Sequence, residues 1–375
     1  MGKNKEMILH IDTGKTWRGG QQQAFYLHQY LCQNNYKSMM VCKKNSAMEK
    51  KCSENDLHIY LLPLSSEFDI YSAYKIAQFA KKNLMKILHL HTAHALSIGL
   101  WAKLFYKSLR LIAVRRVDFS IKSGIFSYLK YNNNLLDILV CISKNIYNVA
   151  LKDSIPQNKL KIIHSGIDTK KVWSGEFGVG SEFWNNIIKE KYDIPKTNII
   201  IGTIAAYADH KDYPTLLRAS KIVIDKYKNV SFISIGGGKI TEELKKLHTD
   251  LYLKNHFIME GHQNEIRPYL QSFDIFVLSS KLEGLGTSIL DAMAARKPIV
   301  ACNSGGIPEM IQHNINGLLA EKENLTDLAE KIMQLIDDPD LRMRLAAQAK
   351  IDVEEFSIEK TIQKNIELYK LMIDG

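Results

Sequence analysis

Two carboxylates, Glu283 and Asp291, stand eight residues apart around the turn Gly284-Leu285-Gly286-Thr287. An apolar run, residues 274–278, precedes the turn. A helical pattern with Ile289, Leu290, Met293 and Ala294 on one face follows it. The glycines therefore lie where a strand ends and a helix begins. There a backbone can approach a ligand closely, and the free N–H groups of the helix point at an anion. A residue one turn into a helix leans back toward its N-terminus, so Asp291 reaches the same ligand as Glu283. Phosphate on N–H groups, with carboxylates on neighbouring hydroxyls, is the physical description of a nucleotide-sugar site. Such turns also occur widely in α/β proteins, and acids near a helix start favour its dipole. A second glycine turn strengthens the ligand reading: the run 298–302 leads into Asn303-Ser304-Gly305-Gly306-Ile307-Pro308-Glu309.

The segment 279–311 resembles the signature of GT-B glycosyltransferases of family 4, the large retaining family. Its E-x7-E motif falls on Glu283 and Asp291, and its later Gly-Gly turn on Gly305-Gly306. The resemblance extends over most of the chain. It implies an α/β, GT-B fold: two Rossmann-like doubly wound domains facing across a cleft, with a C-terminal helix crossing back to the first domain. It implies transfer of a sugar, with retention, from a UDP-, GDP- or ADP-sugar to a glycan or glycolipid acceptor. No cofactor and no metal are expected. Glu283 would hold sugar hydroxyls, and the N–H groups of Gly284, Leu285, Gly286 and Thr287 would meet sugar or phosphate oxygens. Asp291 would hold the ribose. Most members carry Glu there, and Asp is shorter by one C–C bond, about 1.5 Å. The usual proposal for the family is a front-face route in which the leaving phosphate assists the acceptor.

Other motifs fit the same resemblance. Thr16-Trp17-Arg18-Gly19-Gly20 follows the first strand and opens a helix; the matching family loop lies near the donor phosphates, and Arg18, Gly19 and Gly20 are its residues here. This loop resembles bacterial members that act on lipopolysaccharide core. The run 87–91 closes with His89 and His91, with His94 three residues on. Alternation puts His89 and His91 on one face. His91 matches the histidine that the family places beside the reacting sugar, and His94 could replace it. The spacing also allows zinc, but no Cys or carboxylate accompanies the histidines. Arg115 and Arg116 follow a strand, where two cations suit a phosphate or an anionic acceptor as well as a solvated surface. His164-Ser165-Gly166-Ile167-Asp168 resembles the family's N-G-V/I-D turn, with Ser165 for the usual Asn. Lys211 matches the lysine that binds the pyrophosphate, whereas the arginine expected nearby falls on Ala206. Gly236 opens a loop near the nucleotide, and backbone groups around Ile258 would read the base edge.

The elements that position these residues alternate between short apolar runs and helical patterns. Strands are expected at Met7–Ile11 and residues 38–42, 59–63, 87–91, 111–114 and 138–142, with helices over 22–34, 70–83 and 95–107. A second series begins at Ile199–Ile204 and continues through 230–235, 257–259, 275–278 and 299–301. Two parallel sheets with helices on both faces follow from this alternation. The Gly/Ser-rich stretch from Trp173 to Ser181 breaks it. The domains are set at 1–170 (acceptor side), a linker 171–197, 198–355 (nucleotide-sugar side), and a helix 356–375 that packs back on the first domain. Ile358, Ile362, Ile366, Tyr369 and Met372 give that helix its apolar face.

A chain of 375 residues suits two domains. It contains no run of 18 apolar residues. Five cysteines without C-x-x-C spacing argue for a reducing compartment, and the cytoplasm is the expected location. Residues 1–190 hold 27 Lys and Arg against 14 Asp and Glu, and residues 191–375 hold 23 against 26. This asymmetry points to an anionic partner. No nucleic-acid motif accompanies it, so the inner face of the cytoplasmic membrane is the expected surface, with the protein peripheral on it. Two other readings keep the fold: a nucleotide-sugar 2-epimerase, and a non-catalytic nucleotide-sugar-binding protein.

Overall fold

The computed structural model describes residues 7–169 and 181–374. Residues 171–180 of the expected linker lie outside them. The chain forms two compact units, Met1–Gly166 with Ile358–Gly375, and Ile167–Ser357.

The first unit holds a seven-stranded parallel sheet of β1 (Met7–Ile11), β2 (Lys37–Cys42), β3 (Ile59–Leu61), β4 (Ile87–Leu90), β5 (Arg110–Arg115), β6 (Ile138–Cys141) and β7 (Leu160–Ile162), in the order β3-β2-β1-β4-β5-β6-β7. Its helices are α1 (Gly19–Gln33), α2 (Ala47–Ser53), α3 (Ile70–Lys82), α4 (Ala93–Phe105), α5 (Ile125–Tyr131) and α6 (Lys144–Lys152). The first helix described in the second unit is α7 (Ser181–Lys191), which packs on α10 of the same unit (Arg267–Ser272). The expected linker thus contains a helix built into the second unit. Its sheet comprises β8 (Ile199–Ile204), β9 (Val230–Ile235), β10 (Phe257–Glu260), β11 (Ile275–Leu278), β12 (Ile299–Cys302) and β13 (Leu318–Ala320), in the order β10-β9-β8-β11-β12-β13. The remaining helices are α8 (Tyr213–Lys226), α9 (Glu242–Asp250), α11 (Thr287–Ala294), α12 (Leu325–Asp337), α13 (Pro339–Asp352) and α14 (Ile358–Asp374).

The central strands are buried on both faces, as parallel sheets require; β4, β11 and β12 expose nothing. In the second unit Phe232 and Phe257 stack with ring centroids 5.6 Å apart inside a core shared with Leu216, Val223 and Val277. Each such side chain stabilises the fold by roughly 1.5–3 kcal/mol. α14 belongs to the first unit, where Ile362, Ile366 and Tyr369 are buried and α1 is a neighbour.

In each sheet the strand order reverses once, between β1 and β4 and between β8 and β11. Crossovers leave such a pair on opposite faces and open a crevice beyond their carboxyl ends. Asp12 and His91 follow β1 and β4; the loops carrying Lys211 and Glu283 follow β8 and β11. Of the residues singled out in the sequence, Arg18, Gly19, Gly20 and His91 therefore follow the strands of one switch point and Lys211, Glu283 and the turn 284–287 those of the other, whereas Arg115 and Arg116 follow β5, Gly236 follows β9 and Ile258 lies in the edge strand β10.

Candidate active site

In the second unit three loops are tied together at the switch point. Ser279 Oγ donates to the Lys211 carbonyl at 2.8 Å, the Lys281 N–H donates to the His210 carbonyl at 3.0 Å, and Ser304 Oγ donates to the Ser280 carbonyl at 2.6 Å. The Gly306 N–H donates to the Glu283 carbonyl at 2.9 Å. On this frame Lys211 Nζ is ion-paired with Glu283 Oε2, which also accepts from Ser280 Oγ at 3.2 Å. Both side chains are mostly buried, 15% and 12% exposed, so the pair is weakly screened.

The turn after Glu283 owes its shape to Gly286, whose φ of +91° is a conformation that a Cβ would oppose. Leu285 is buried and anchors the turn. Gly286 is the N-cap of α11 and offers no side-chain cap, and no acid stands in the first turn. Most α-helices whose N-caps are described are capped by a side chain instead: Thr92 caps α4, Asp212 caps α8 and Thr241 caps α9. The start of α11 therefore keeps free N–H groups beside a lysine, an arrangement suited to an anion.

Asp291 lies one turn into α11 with its carboxyl hemmed in by protein, and burial pushes its pKa up to about 7. Gly236 admits the close approach of two loops: a Cβ there would lie 1.8 Å from the Ala205 carbonyl oxygen. Beside it the Tyr207 N–H donates to the Gly237 carbonyl at 2.8 Å. Ile258 sits in β10, the edge strand, and its carbonyl accepts from Ser234 Oγ at 3.3 Å. The Ala206 backbone is part of the same β8 loop.

The first unit builds its own cluster. Asp12 is buried at the end of β1, where Oδ1 accepts from the Gly14 N–H at 2.8 Å and Oδ2 from Gln21 Nε2 at 3.0 Å. Burial raises its pKa, against these hydrogen bonds and the charge of Arg116. Arg116 donates to Ser165 Oγ at 3.1 Å, and burial lowers its pKa to about 10, against the pull of Asp12. Gly20 lies against the Arg116 side chain. α1 starts at Gly19 with Arg18 as an N-cap that makes no side-chain bond and with no acid in its first turn. This is the second uncapped helix start at a switch point.

His91 and His89 do share a face, with ring centroids 4.3 Å apart. His91 is buried, and its Nε2 lies 3.0 Å from Nδ1 of His10, a residue of β1. His89 Nδ1 lies 2.6 Å from the Tyr369 hydroxyl of α14. Burial, then neighbouring positive groups, holds His10 and His91 well below the ordinary imidazole range and His89 down to about 3. The rings are neutral. His89, His91, Arg116, Gln23 and Asn365 line a small cavity of about 30 Å³. His10, His89 and His91 each bring one ring nitrogen within 4.8 Å of the others, as a metal site would need. His10 Nδ1 and His91 Nε2 are bonded to each other, and the Arg116 charge acts on His89 and His91. His94 is half-buried elsewhere, near the Glu67 carboxylate. Arg115 turns into the fold, donating to the Phe119 carbonyl and lying 5.1 Å from the Tyr131 ring, so Arg116 alone faces this cluster.

Sequence reading missed Asp12, His10, Gln21 and Gln23. Gln23 clamps the turn at Gly166, whose N–H donates to its Oε1 at 3.0 Å. The one available signal was an acid directly after the first strand.

Two family patterns divide the chain between them. The pattern described as "Glycosyl transferases group 1" matches residues 185–352, and that described as "Glycosyltransferase Family 4" matches residues 17–171. The chain is a GT-B glycosyltransferase of group 1/family 4.

This glycosyltransferase is 23% identical over 310 residues to the N-acetyl-alpha-D-glucosaminyl L-malate synthase of Bacillus anthracis, covering 80% of the chain and 79% of that protein. It is 32% identical over 231 residues to the N,N'-diacetylbacillosaminyl-diphospho-undecaprenol alpha-1,3-N-acetylgalactosaminyltransferase of Campylobacter jejuni, covering 60% of the chain and 57% of that protein. In fold it is similar to the crystal structure of a glycosyltransferase from Rickettsia africae, with a TM-score of 0.87 and 21% identity over the whole of both chains. The Anabaena protein HepE, solved with UDP and glucose, gives a TM-score of 0.85 at 18% identity, covering 97% of this chain and 99% of that one. Among the described residues no helix is long and apolar enough to cross a membrane.

Proposed function

We propose that the enzyme moves a sugar from a nucleotide diphosphate donor, UDP-linked by preference, to a membrane-bound glycan acceptor, with retention of configuration. The observation that carries this reading is the Lys211–Glu283 pair beside the uncapped start of α11. A leaving nucleotide diphosphate gains negative charge as the C1–O bond breaks. Preorganised N–H groups and a lysine stabilise that charge without proton transfer. Glu283, released from Lys211 as the phosphate takes its place, accepts from sugar hydroxyls, and Asp291 serves the ribose. The acceptor hydroxyl attacks C1 from the face the phosphate leaves, and its proton passes to the departing phosphate oxygen. His91, neutral and buried, is assigned to the reacting sugar as a hydrogen-bonding group.

Two relatives favour a UDP donor and a lipid-linked acceptor: HepE was solved with UDP-glucose, and the Campylobacter jejuni protein is named for an undecaprenol-linked sugar. Lipopolysaccharide core fits the same class, after a Rhizobium meliloti relative. The test is a panel of nucleotide diphosphates by thermal shift, followed by transfer from the donor they name to extracted lipid-linked glycans. The expected result is stabilisation by UDP, an α-linked product from an α-linked donor, and at least a hundredfold loss of transfer in Glu283→Gln. Inversion at C1, or full transfer by Glu283→Gln, would refute the assignment. Isomerised donor sugar formed without acceptor would favour the epimerase reading.

A further inference from the structure

The first unit carries large apolar side chains that its own core does not use. Phe68 is 70% exposed, Ile125 71% and Phe126 76%, and Tyr71, Phe119 and Leu129 are each more than half exposed. They come from three segments: the loop after β3 with the start of α3, the loop after β5, and α5. In a parallel sheet the loops after the strands share the carboxyl edge, so 65–69 and 116–124 rise from the same rim. Side-chain contacts join the segments. Lys130 of α5 bonds both Glu67 oxygens at 2.9 and 3.0 Å, and Arg115 touches Phe119 on one side and Tyr131 of α5 on the other.

α5 shows that this is not spillover from the core. Its buried anchor is Tyr131, and the preceding turn is pinned by Ile121, which is fully buried. Ile125, Phe126 and Leu129 are directed the other way, where a surface helix ordinarily carries polar groups. An apolar patch with this span needs a cover. Cations flank it: Lys75 lies 5.7 Å from the Tyr71 ring centroid, and Lys122 is exposed on the loop that leads to α5. Residues 1–166 and 358–375 together hold 27 Lys and Arg against 13 Asp and Glu, whereas residues 167–357 hold 23 against 27. The apolar patch thus sits on the positive unit. Protruding aromatic and aliphatic side chains with a lysine border, on a positively charged body, match the headgroup region of an anionic bilayer.

We propose that the rim formed by Phe68, Tyr71, Phe119, Ile125, Phe126 and Leu129 docks the enzyme on an anionic membrane surface. This names the contact face for the membrane-bound acceptor proposed above. The test contains neither donor nor acceptor, so its outcome is separate from that of transfer.

Flotation of the full chain with vesicles of phosphatidylglycerol and phosphatidylcholine, or of phosphatidylcholine alone, reads the docking directly. At 0.1 M NaCl at least tenfold more protein should float with the anionic vesicles, and 0.5 M NaCl should reduce that binding. Ile125→Ser with Phe126→Ser should lower partition at least tenfold, and Phe68→Ser should lower it on its own. All of these residues are exposed, so the melting temperature should stay within about 2 °C of the wild type. The proposal is overturned if the wild type floats with neither vesicle, if the variants float as well as the wild type, or if binding is equal on neutral lipid. It is likewise overturned if sedimentation without lipid shows a dimer that the double variant converts to monomer, because the rim would then be a self-association face.

Discussion

Tyr369 places its hydroxyl 2.6 Å from Nδ1 of His89, although 280 residues separate the two. The bond joins the last helix to the fourth strand, inside the first unit. Burial raises the phenol's pKa, so it stays a neutral partner for a neutral imidazole. His89 in turn packs against His91, with its ring tilted to that of His91. Tyr369→Phe keeps the ring and removes the hydrogen bond, leaving a buried nitrogen without its partner. Stability should fall by about 1 kcal/mol, measured by urea denaturation. Transfer should fall by about tenfold through kcat, because His91 loses the neighbour that fixes its ring. A stability loss without any change in kcat would confine Tyr369 to folding.

Lys211→Met should separate binding from architecture. The side chain holds Glu283, and the frame around the pair is built from serine and backbone bonds that do not involve Nζ. Stability should drop by about 1–2 kcal/mol, since one charge-assisted bond is lost and Ser280 still serves Glu283. Transfer should drop by about a hundredfold or more. Steady-state kinetics beside thermal melting make the comparison.

The alternation of apolar runs and helical patterns was enough to place both sheets, because buried parallel strands read as short continuous runs. β7 and β13, three-residue edge strands, escaped it, whereas β3, equally short and at an edge, was marked by the longer run 59–63. Glu283, Lys211 and Asp291 were legible because a glycine turn after a strand marks a ligand-facing loop. Arg115 and Arg116 could not be told apart, since one step along a strand reverses the face and only packing says which face meets Tyr131. His10 and Tyr369 were invisible as a site for a related reason: register between β1 and β4, and the docking of α14, bring them to His89 and His91. Neither is written in local spacing.

Asp291→Asn should show opposite effects on folding and on binding. Burial lifts the folded-state pKa to about 7, above the unfolded value of 3.8. Between those values the folded chain keeps a proton that the unfolded chain has lost. Wild-type stability therefore falls as pH rises from about 4 to about 7 on account of this group. Asn removes the dependence and should be more stable than wild type at pH 7.5 by on the order of 1 kcal/mol, and equal to it near pH 4. Nucleotide affinity at pH 7.5 should fall about tenfold, because the acceptor for ribose hydroxyls is weakened. Urea titrations at the two pH values and calorimetric nucleotide binding supply the readouts.

Gly236→Ala should fail for a local steric reason. The added Cβ would lie 1.8 Å from the Ala205 carbonyl oxygen, which belongs to backbone and cannot swing away. The β8 and β9 loops must then part, breaking the Tyr207 N–H bond to Gly237. A stability loss of about 1–3 kcal/mol is expected. The β8 loop also carries Lys211, so the donor KM should rise. Gly261→Ala is the control: a Cβ there meets nothing within 4 Å, and little should change.

The buried imidazoles make the first unit acid-labile. His89 is held down to about 3 and His28 to about 4 by burial, and His10 and His91 lie well below their ordinary value. In the unfolded chain all four titrate near 6.5. As pH falls below that value the unfolded state takes up protons that the folded state refuses. Stability is thus complete above about pH 6.5 and is lost progressively as pH falls toward the folded values. Each such histidine contributes a slope of about 1.4 kcal/mol per pH unit. His28→Gln keeps a group able to bond Ser38 and the His58 carbonyl, the oxygen partners of the native ring. It should lower stability at pH 7.5 only modestly, yet the fall between pH 6 and pH 5 should be shallower by one proton. Urea unfolding across that range measures the slope directly, and an unchanged slope would show that His28 is already charged in the folded chain.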